Sequence, residues 1–219
     1  MSIGVWYTNA MRFLVTAGPT REHLDPVRFL SNPSTGRMGF AVARAARAAG
    51  HVVTLVAGPI ALQTPPGVQR VDVVDARGML AAVRAEVAKT DVLVMTAAVA
   101  DWRPARRALR KLKKSEMDGT LRLVRNPDIL KSVHGPRVRI GFAAETGLPD
   151  AEAARKCREK GLDLVVGNDV TRSDSGFGTA TNRVTFVTPD GRVQNLPLMS
   201  KLAVARRIVA FAERITSHG

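Results

Sequence analysis

Residues 12–40, RFLVTAGPTREHLDPVRFLSNPSTGRMGF, decide how this chain folds. The first six, RFLVTA, are apolar apart from Arg12 and Thr16 and read as a buried strand that stops at Gly18-Pro19. At the far end, Ser34-Thr35-Gly36 supplies capping hydroxyls and a small residue just before an Ala-rich helix predicted over 37–49. The free N–H groups and positive dipole end of such a helix start suit a phosphate. Ser34, Thr35, Gly36 and Gly39 are therefore candidate phosphate-binding residues, with close helix–sheet packing as the alternative role of Gly39. The layout is not the usual dinucleotide one, which wants G-x-G-x-x-G in a tight turn and an acid ending the second strand. Here a long insertion separates Gly18 from Gly36, and the second predicted strand, 51–57, ends in Gly58-Pro59.

Working outward, strands and helices alternate. Strands are expected at 68–74, 91–96, 137–143 and 162–167, with helices at 76–89, 150–160 and 200–215. In the last helix, Leu202, Val204, Ile208, Val209, Phe211 and Ile215 recur at helical spacing. Pro189-Asp190-Gly191 between 184–187 and 192–194 signals a hairpin. This pattern predicts an α/β fold: a Rossmann-like, mainly parallel sheet with helices on both faces. The alternation breaks at 103–125, where a charged loop and a strand at 120–124 predict an arm projecting from the sheet. Residues 172–181 read as a mobile loop or lid. The expected organisation is a loose extension at 1–11 and one domain at 12–219.

Composition narrows the chemistry. The single cysteine, Cys157, excludes an intramolecular disulfide and a cysteine cluster for zinc, and the four histidines are scattered. No apolar run nears the roughly 20 residues that span a bilayer, and residues 1–10 do not resemble a secretion signal, so a cytoplasmic location is the default. The formal net charge is +14, and RPARRALRKLKK (103–114) holds seven of the positive charges. Aromatics make up only 5%, too few for a base-stacking surface, and no nucleic-acid module is visible. Polyanionic small molecules use a basic surface equally well.

Further landmarks follow in order: AAVADWRP (97–104), KLKK (111–114), NPDIL (126–130), GFAAET (141–146), NDV (168–170) and LPLMSK (196–201). Together with TAGPTRE (16–22), DPVR (25–28), Ser31-Asn32 and the Ser34/Gly36/Met38-Gly39 set, they resemble phosphopantothenoylcysteine synthetase (phosphopantothenate–cysteine ligase) of coenzyme A biosynthesis, in register from about Met11. The resemblance implies a homodimeric ligase joining 4′-phosphopantothenate to L-cysteine. The acid carboxylate attacks the α-phosphate of a nucleoside triphosphate, CTP in bacterial members and mostly ATP in eukaryotic ones. The cysteine amine then attacks the acyl-nucleotide. Mg²⁺ is implied, with its ligands unassigned. Many bacterial relatives carry an N-terminal flavoprotein decarboxylase; this chain reads as either a stand-alone ligase or a piece of such a fusion.

The same resemblance assigns roles. Asn32 matches the signature asparagine that steadies the acyl-phosphate intermediate; its alternative is an Asx-turn before Pro33. Arg28 matches an arginine able to hold a phosphate or carboxylate bidentately, the alternative being a salt bridge to Asp25 or Glu22. Lys111 begins the family's K-x-K-K segment, which reaches an active site across the dimer interface. The preceding Ala108-Leu109-Arg110 departs from relatives in which an acid is common. For the nucleotide, the matches are Met95, Thr96, Ala97, Asp101, Lys111, the loop Pro127, Asp128, Ile129 and Leu130, then Phe142, Lys156 and Lys160. The last two lie at i and i+4, on one helical face. Two other readings compete: a nicotinamide-dependent oxidoreductase on the same fold class, and a basic nucleic-acid-binding module resting on charge alone.

Overall fold

The structure is a computed structural model that describes residues 10–116, 119–145, 150–169, 176 and 178–217. Most of the expected extension at 1–11 and half of the expected loop or lid at 172–181 lie outside the described residues. In chain order the elements are β1 (Arg12–Ala17), a ribbon of β2 (Arg21–His23) and β3 (Phe29–Ser31), α1 (Arg37–Ala48), β4 (Val52–Ala57) and β5 (Gln69–Asp72). Next come α2 (Ala76–Val87), β6 (Val92–Met95), β7 (Trp102–Pro104), β8 (Leu123–Arg125), α3 (Ile129–Ser132) and β9 (Val138–Glu145). The chain closes with α4 (Asp150–Lys160), β10 (Leu164–Asp169), β11 (Thr181–Asn182), β12 (Val184–Val187), β13 (Val193–Asn195), β14 (Met199–Ser200) and α5 (Lys201–Ser217).

Eight strands form one sheet in the order β13-β12-β10-β9-β6-β1-β4-β5. The six from β5 to β10 run parallel; β12 and β13 add on antiparallel. Alternation along β1 divides the core. Phe13, Val15 and Ala17 face one way, into a cluster with α1 and α5, while Leu14 faces α2 and α3 on the other side. Helix α4 covers Val165 and Val187 through Ala153, Ala154 and Cys157. Each fully buried Val, Leu or Phe among them contributes roughly 1.5–3 kcal/mol. Helix α1 is buried almost all round, at Gly39, Phe40, Ala41, Val42, Ala43, Ala45 and Ala46, because it lies between sheet and α5. Its small residues permit that close fit.

The expected α/β sheet with helices on both faces is the observed fold. Strand order runs outward in both directions from β1 and β6, so the reversal point of the sheet falls between them. Several details differ. Strand β5 is shorter than the expected 68–74, and β8 starts later than the expected 120–124, where its pairing with β7 sets the register. The β2–β3 ribbon was not expected from sequence. Asp75 caps α2 by accepting from the Gly78 N–H at 2.7 Å. Among the described residues no helix is long and apolar enough to cross a membrane.

Candidate functional site

The segment after β1 does not turn tightly. It runs on beside the exit of β6, where Pro19 bridges Ala98 and the Ala98 N–H donates to Gly18 O at 2.9 Å. Buried Glu22 accepts from the Ala76 N–H at 2.9 Å, pinning the β2–β3 ribbon to the start of α2. Asp25, fully buried, is the hub of the ribbon's turn. It accepts from the Val27 and Arg28 N–H groups, both at 2.8 Å, from Arg28 Nε at 3.0 Å and from the Leu112 N–H at 3.2 Å. The Arg28 guanidinium, the leading cause, holds the Asp25 carboxyl well below the usual carboxylate range. Arg28 also donates to Leu112 O at 3.1 Å, so this pair fastens the basic arm as well as the ribbon.

The chain returns at Asn32. Its Nδ2 donates to Ala98 O at 3.2 Å and Val99 O at 3.3 Å, which anchors it to the exit of β6. Helix α1 then starts at Gly36, in the left-handed region at φ 73°, a conformation that L side chains resist. The expected side-chain cap is absent: no side chain caps α1, and the Ser34 hydroxyl reaches only the Gly36 N–H, at 3.4 Å. The first intrahelical bond is Phe40 N–H to Gly36 O. Gly39 serves close packing. A Cβ there would lie 2.5 Å from both Ala17 Cβ and Thr96 Oγ1.

At the reversal point opens a cavity of about 830 Å³, within the ~300–1,000 Å³ usual for small-molecule sites. One wall is the start of α1 with the exit of β6: Asn32, Ser34, Thr35, Gly36 and Gly39 face Met95, Thr96 and Ala97. Thr96 Oγ1 donates to Thr16 O at 2.6 Å, and the Ala97 N–H to Thr16 Oγ1 at 3.2 Å, fixing that exit against β1. The opposite wall comprises Asp128, Ile129, Leu130, Lys156 and Lys160, and Asp101 and Phe142 also belong to the lining. There Asp128 caps α3 through the Lys131 N–H and pairs with Lys160 Nζ at 3.0 Å, while Lys156 lies 3.6 Å from Glu152. Buried Arg139 donates to Leu130 O, Val133 O, Lys160 O and Gly161 O, clamping the ends of α3 and α4 together.

Five basic side chains line the cavity (Arg37, Arg125, Lys156, Lys160 and Lys201) against two carboxylates, Asp101 and Asp128. The site is therefore anion-selective by charge. Of the residues singled out from sequence, Arg28, Lys111 and Pro127 are not in this lining. Arg28 occupies the salt bridge with Asp25, and Lys111 sits on the arm next to Leu112. Sequence reasoning missed Arg37, Lys201, Asn182 and Trp102, all in the lining. Lys201 ends the LPLMSK landmark, and nothing local distinguishes it from a solvated lysine at a helix start.

Residues 8–215 match the family of DNA/pantothenate metabolism flavoprotein C-terminal domains. The chain is 43% identical over 211 residues to the coenzyme A biosynthesis bifunctional protein CoaBC of Vibrio vulnificus strain YJ016, covering 94% of this chain and 52% of that protein. It is 46% identical over 199 residues to CoaBC of Escherichia coli K12, covering 87% and 48%. It thus spans about half the length of these curated relatives. A crystal structure of the C-terminal domain of a CoaBC superposes with a TM-score of 0.82 at 41% identity, covering 96% of this chain and 99% of that one. By both fold and sequence, the chain belongs to the DNA/pantothenate metabolism flavoprotein C-terminal domain family.

Proposed function

We propose that this chain is the phosphopantothenate–cysteine ligase of coenzyme A biosynthesis, acting on 4′-phosphopantothenate, L-cysteine and CTP as a cytoplasmic homodimer. The observation that carries the reading is the anion-selective cavity at the sheet's reversal point, with an uncapped α1 start on one wall and Lys156 and Lys160 on the other. That arrangement suits a triphosphate laid beside an acid. In the first step a carboxylate oxygen bonds the α-phosphorus as the bond to pyrophosphate breaks. In the second, the cysteine nitrogen bonds the acyl carbon, the nucleoside monophosphate departs, and the ammonium proton is lost to solvent. Neither step needs a protein nucleophile; both need positioning and charge neutralisation.

Asn32 belongs to the second step. Its Nδ2 is given to two backbone carbonyls, which leaves Oδ1 to accept from a substrate N–H, and the attacking amine offers one. Mg²⁺ binds through one or two carboxylates plus substrate phosphates. Asp101 and Asp128 line the cavity, and Asp128 is engaged by Lys160, so the lining fits an ion held by Asp101. When bound, that ion neutralises charge developing on the phosphate oxygens.

Arg28 and Lys111 fit a role across a dimer interface. Both lie off their own chain's cavity, tied together through Asp25 and Leu112. Around them Val27, Phe29, Trp102, Leu109 and Leu123 are exposed, Leu109 at 96%. A cluster of that kind marks a partner surface.

The test measures pyrophosphate release from CTP and from ATP with phosphopantothenate, then amide formation on adding cysteine. The reading requires both, with CTP preferred. In Asn32→Ala, CTP binding is expected to persist while amide formation falls about 100-fold or more, the scale of losing one placed polar group. Normal turnover in that variant removes Asn32 from the mechanism.

A further inference from the structure

Lys201 opens α5 and is only 6% exposed, yet it lines the cavity. Among the described residues its ammonium has one partner, the neutral Gly176 O at 2.8 Å, and no carboxylate within ion-pair reach. Three effects oppose its charge. Burial strips it of water. Arg37, also in the lining, adds like charge. Its place in the first turn of α5, which contains no acid, sets it at the positive end of the helix dipole. Burial first, then Arg37, lowers the Lys201 pKa to about 8. Among the described residues only the Gly176 carbonyl offsets part of these costs and no opposite charge does, and the α1 start that borders the same cavity has neither a side-chain cap nor a first-turn acid.

We propose that Lys201 is a phosphate-binding residue, completing with Arg37 and the α1 start a subsite for a phosphate group of the substrate. An anion there relieves all three opposing effects together. The identity of that group, a triphosphate oxygen of the nucleotide or the phosphate monoester of the acid, rests on the ligase reading; its phosphate chemistry does not.

The experiment uses Lys201→Met and Lys201→Arg in the full chain. Binding of CTP, cytidine, 4′-phosphopantothenate and inorganic tripolyphosphate is measured by calorimetry, and unfolding by thermal denaturation without ligand. Lys201→Met is expected to weaken whichever phosphate ligand the residue holds by about 10- to 100-fold, the scale of one charge-assisted hydrogen bond. Cytidine affinity should stay the same and ligand-free stability should be equal or higher. Lys201→Arg should recover most of the binding. A selective loss for CTP assigns the triphosphate, and one for phosphopantothenate assigns the monoester.

Unchanged affinity for both ligands, or a melting temperature that falls in parallel with every affinity, overturns the proposal. If the wild-type protein binds neither substrate, the ligase reading fails. Tripolyphosphate then decides: binding lost in Lys201→Met sustains the subsite, and no binding ends it.

Discussion

The two walls of the cavity are built on opposite principles. The α1 side is backbone and buried: Gly36 and Gly39 carry no side chain, Thr16 and Thr96 bond to each other's strands, and Lys201 is buried without a carboxylate among the described residues. On the α4 side, Lys160 and Lys156 are 30% and 28% exposed, and each already has a carboxylate, Asp128 or Glu152. A lysine that the fold has compensated is ready to exchange one partner for another at little cost. One that the fold has left uncompensated marks where a ligand's charge is expected. The first wall is preorganised, and the second adapts.

Substitutions that separate the walls should differ in size accordingly. The largest effect is expected from Gly39→Ala, whose new Cβ would meet Ala17 Cβ and Thr96 Oγ1 at 2.5 Å and Thr16 O at 2.8 Å. Those neighbours sit on strand β1 and at the exit of β6 and have no room to yield. A stability loss of about 3 kcal/mol in urea unfolding is expected, against a helix-propensity gain of only ~1 kcal/mol. A variant as stable as wild type would show that the α1 wall adapts too.

An intermediate effect should come from pH. Lys201 has a folded value of about 8 against an ordinary 10.5. Below pH 8 it is charged in both folded and unfolded chains, and the burial cost is present in full. Between pH 8 and 10.5 the folded chain gives up the proton while the unfolded chain keeps it, so stability rises with pH. The gain between pH 8 and 10, about 2 kcal/mol at ~1.4 kcal/mol per pH unit, should vanish in Lys201→Met. Parallel stability profiles for wild type and variant would contradict it.

Asp128→Asn should have the smallest effect. Asparagine caps a helix as well as aspartate, so the variant isolates the ion pair with Lys160. That pair is more than a third exposed on the Asp128 side, and solvent screening holds its worth to about 0.5 kcal/mol or less. A loss above about 1 kcal/mol, beyond the range of an exposed pair, would mean that the α4 wall is preorganised like the α1 wall.

Much of this site was legible because its signals are local. The apolar run of β1, the break at Gly18-Pro19 and the Ala-rich stretch after Gly36 act through neighbours in the chain, and they place the strand, the segment and the helix correctly. Asp128 also caps a helix start, through the Lys131 N–H. The expected capping hydroxyls at Ser34 and Thr35 did not materialise, because Gly36 takes a left-handed conformation and starts α1 without a side-chain cap. The β2–β3 ribbon was illegible for a different reason. Its turn is held by Asp25, which also reaches Leu112, 87 residues away. Arg28 shows the same limit, since sequence offered a ligand role and a salt bridge to Asp25 or Glu22. The fold supplies the Asp25 bridge and gives Glu22 to the start of α2.

By itself, then, the sequence determined the alternating α/β pattern, the reach of the loop that replaces the dinucleotide turn, and most of the residues around one cavity. Periodicity, turn chemistry and motif order all act over short stretches of chain. Only the tertiary structure decided which charges the protein neutralises internally and which it leaves for a ligand. Lys160 and Lys201 are alike as letters. Their difference is set by burial and by partners distant in sequence, Asp128 for one and Gly176 O for the other, because desolvation and Coulomb energy depend on what surrounds a charge in space.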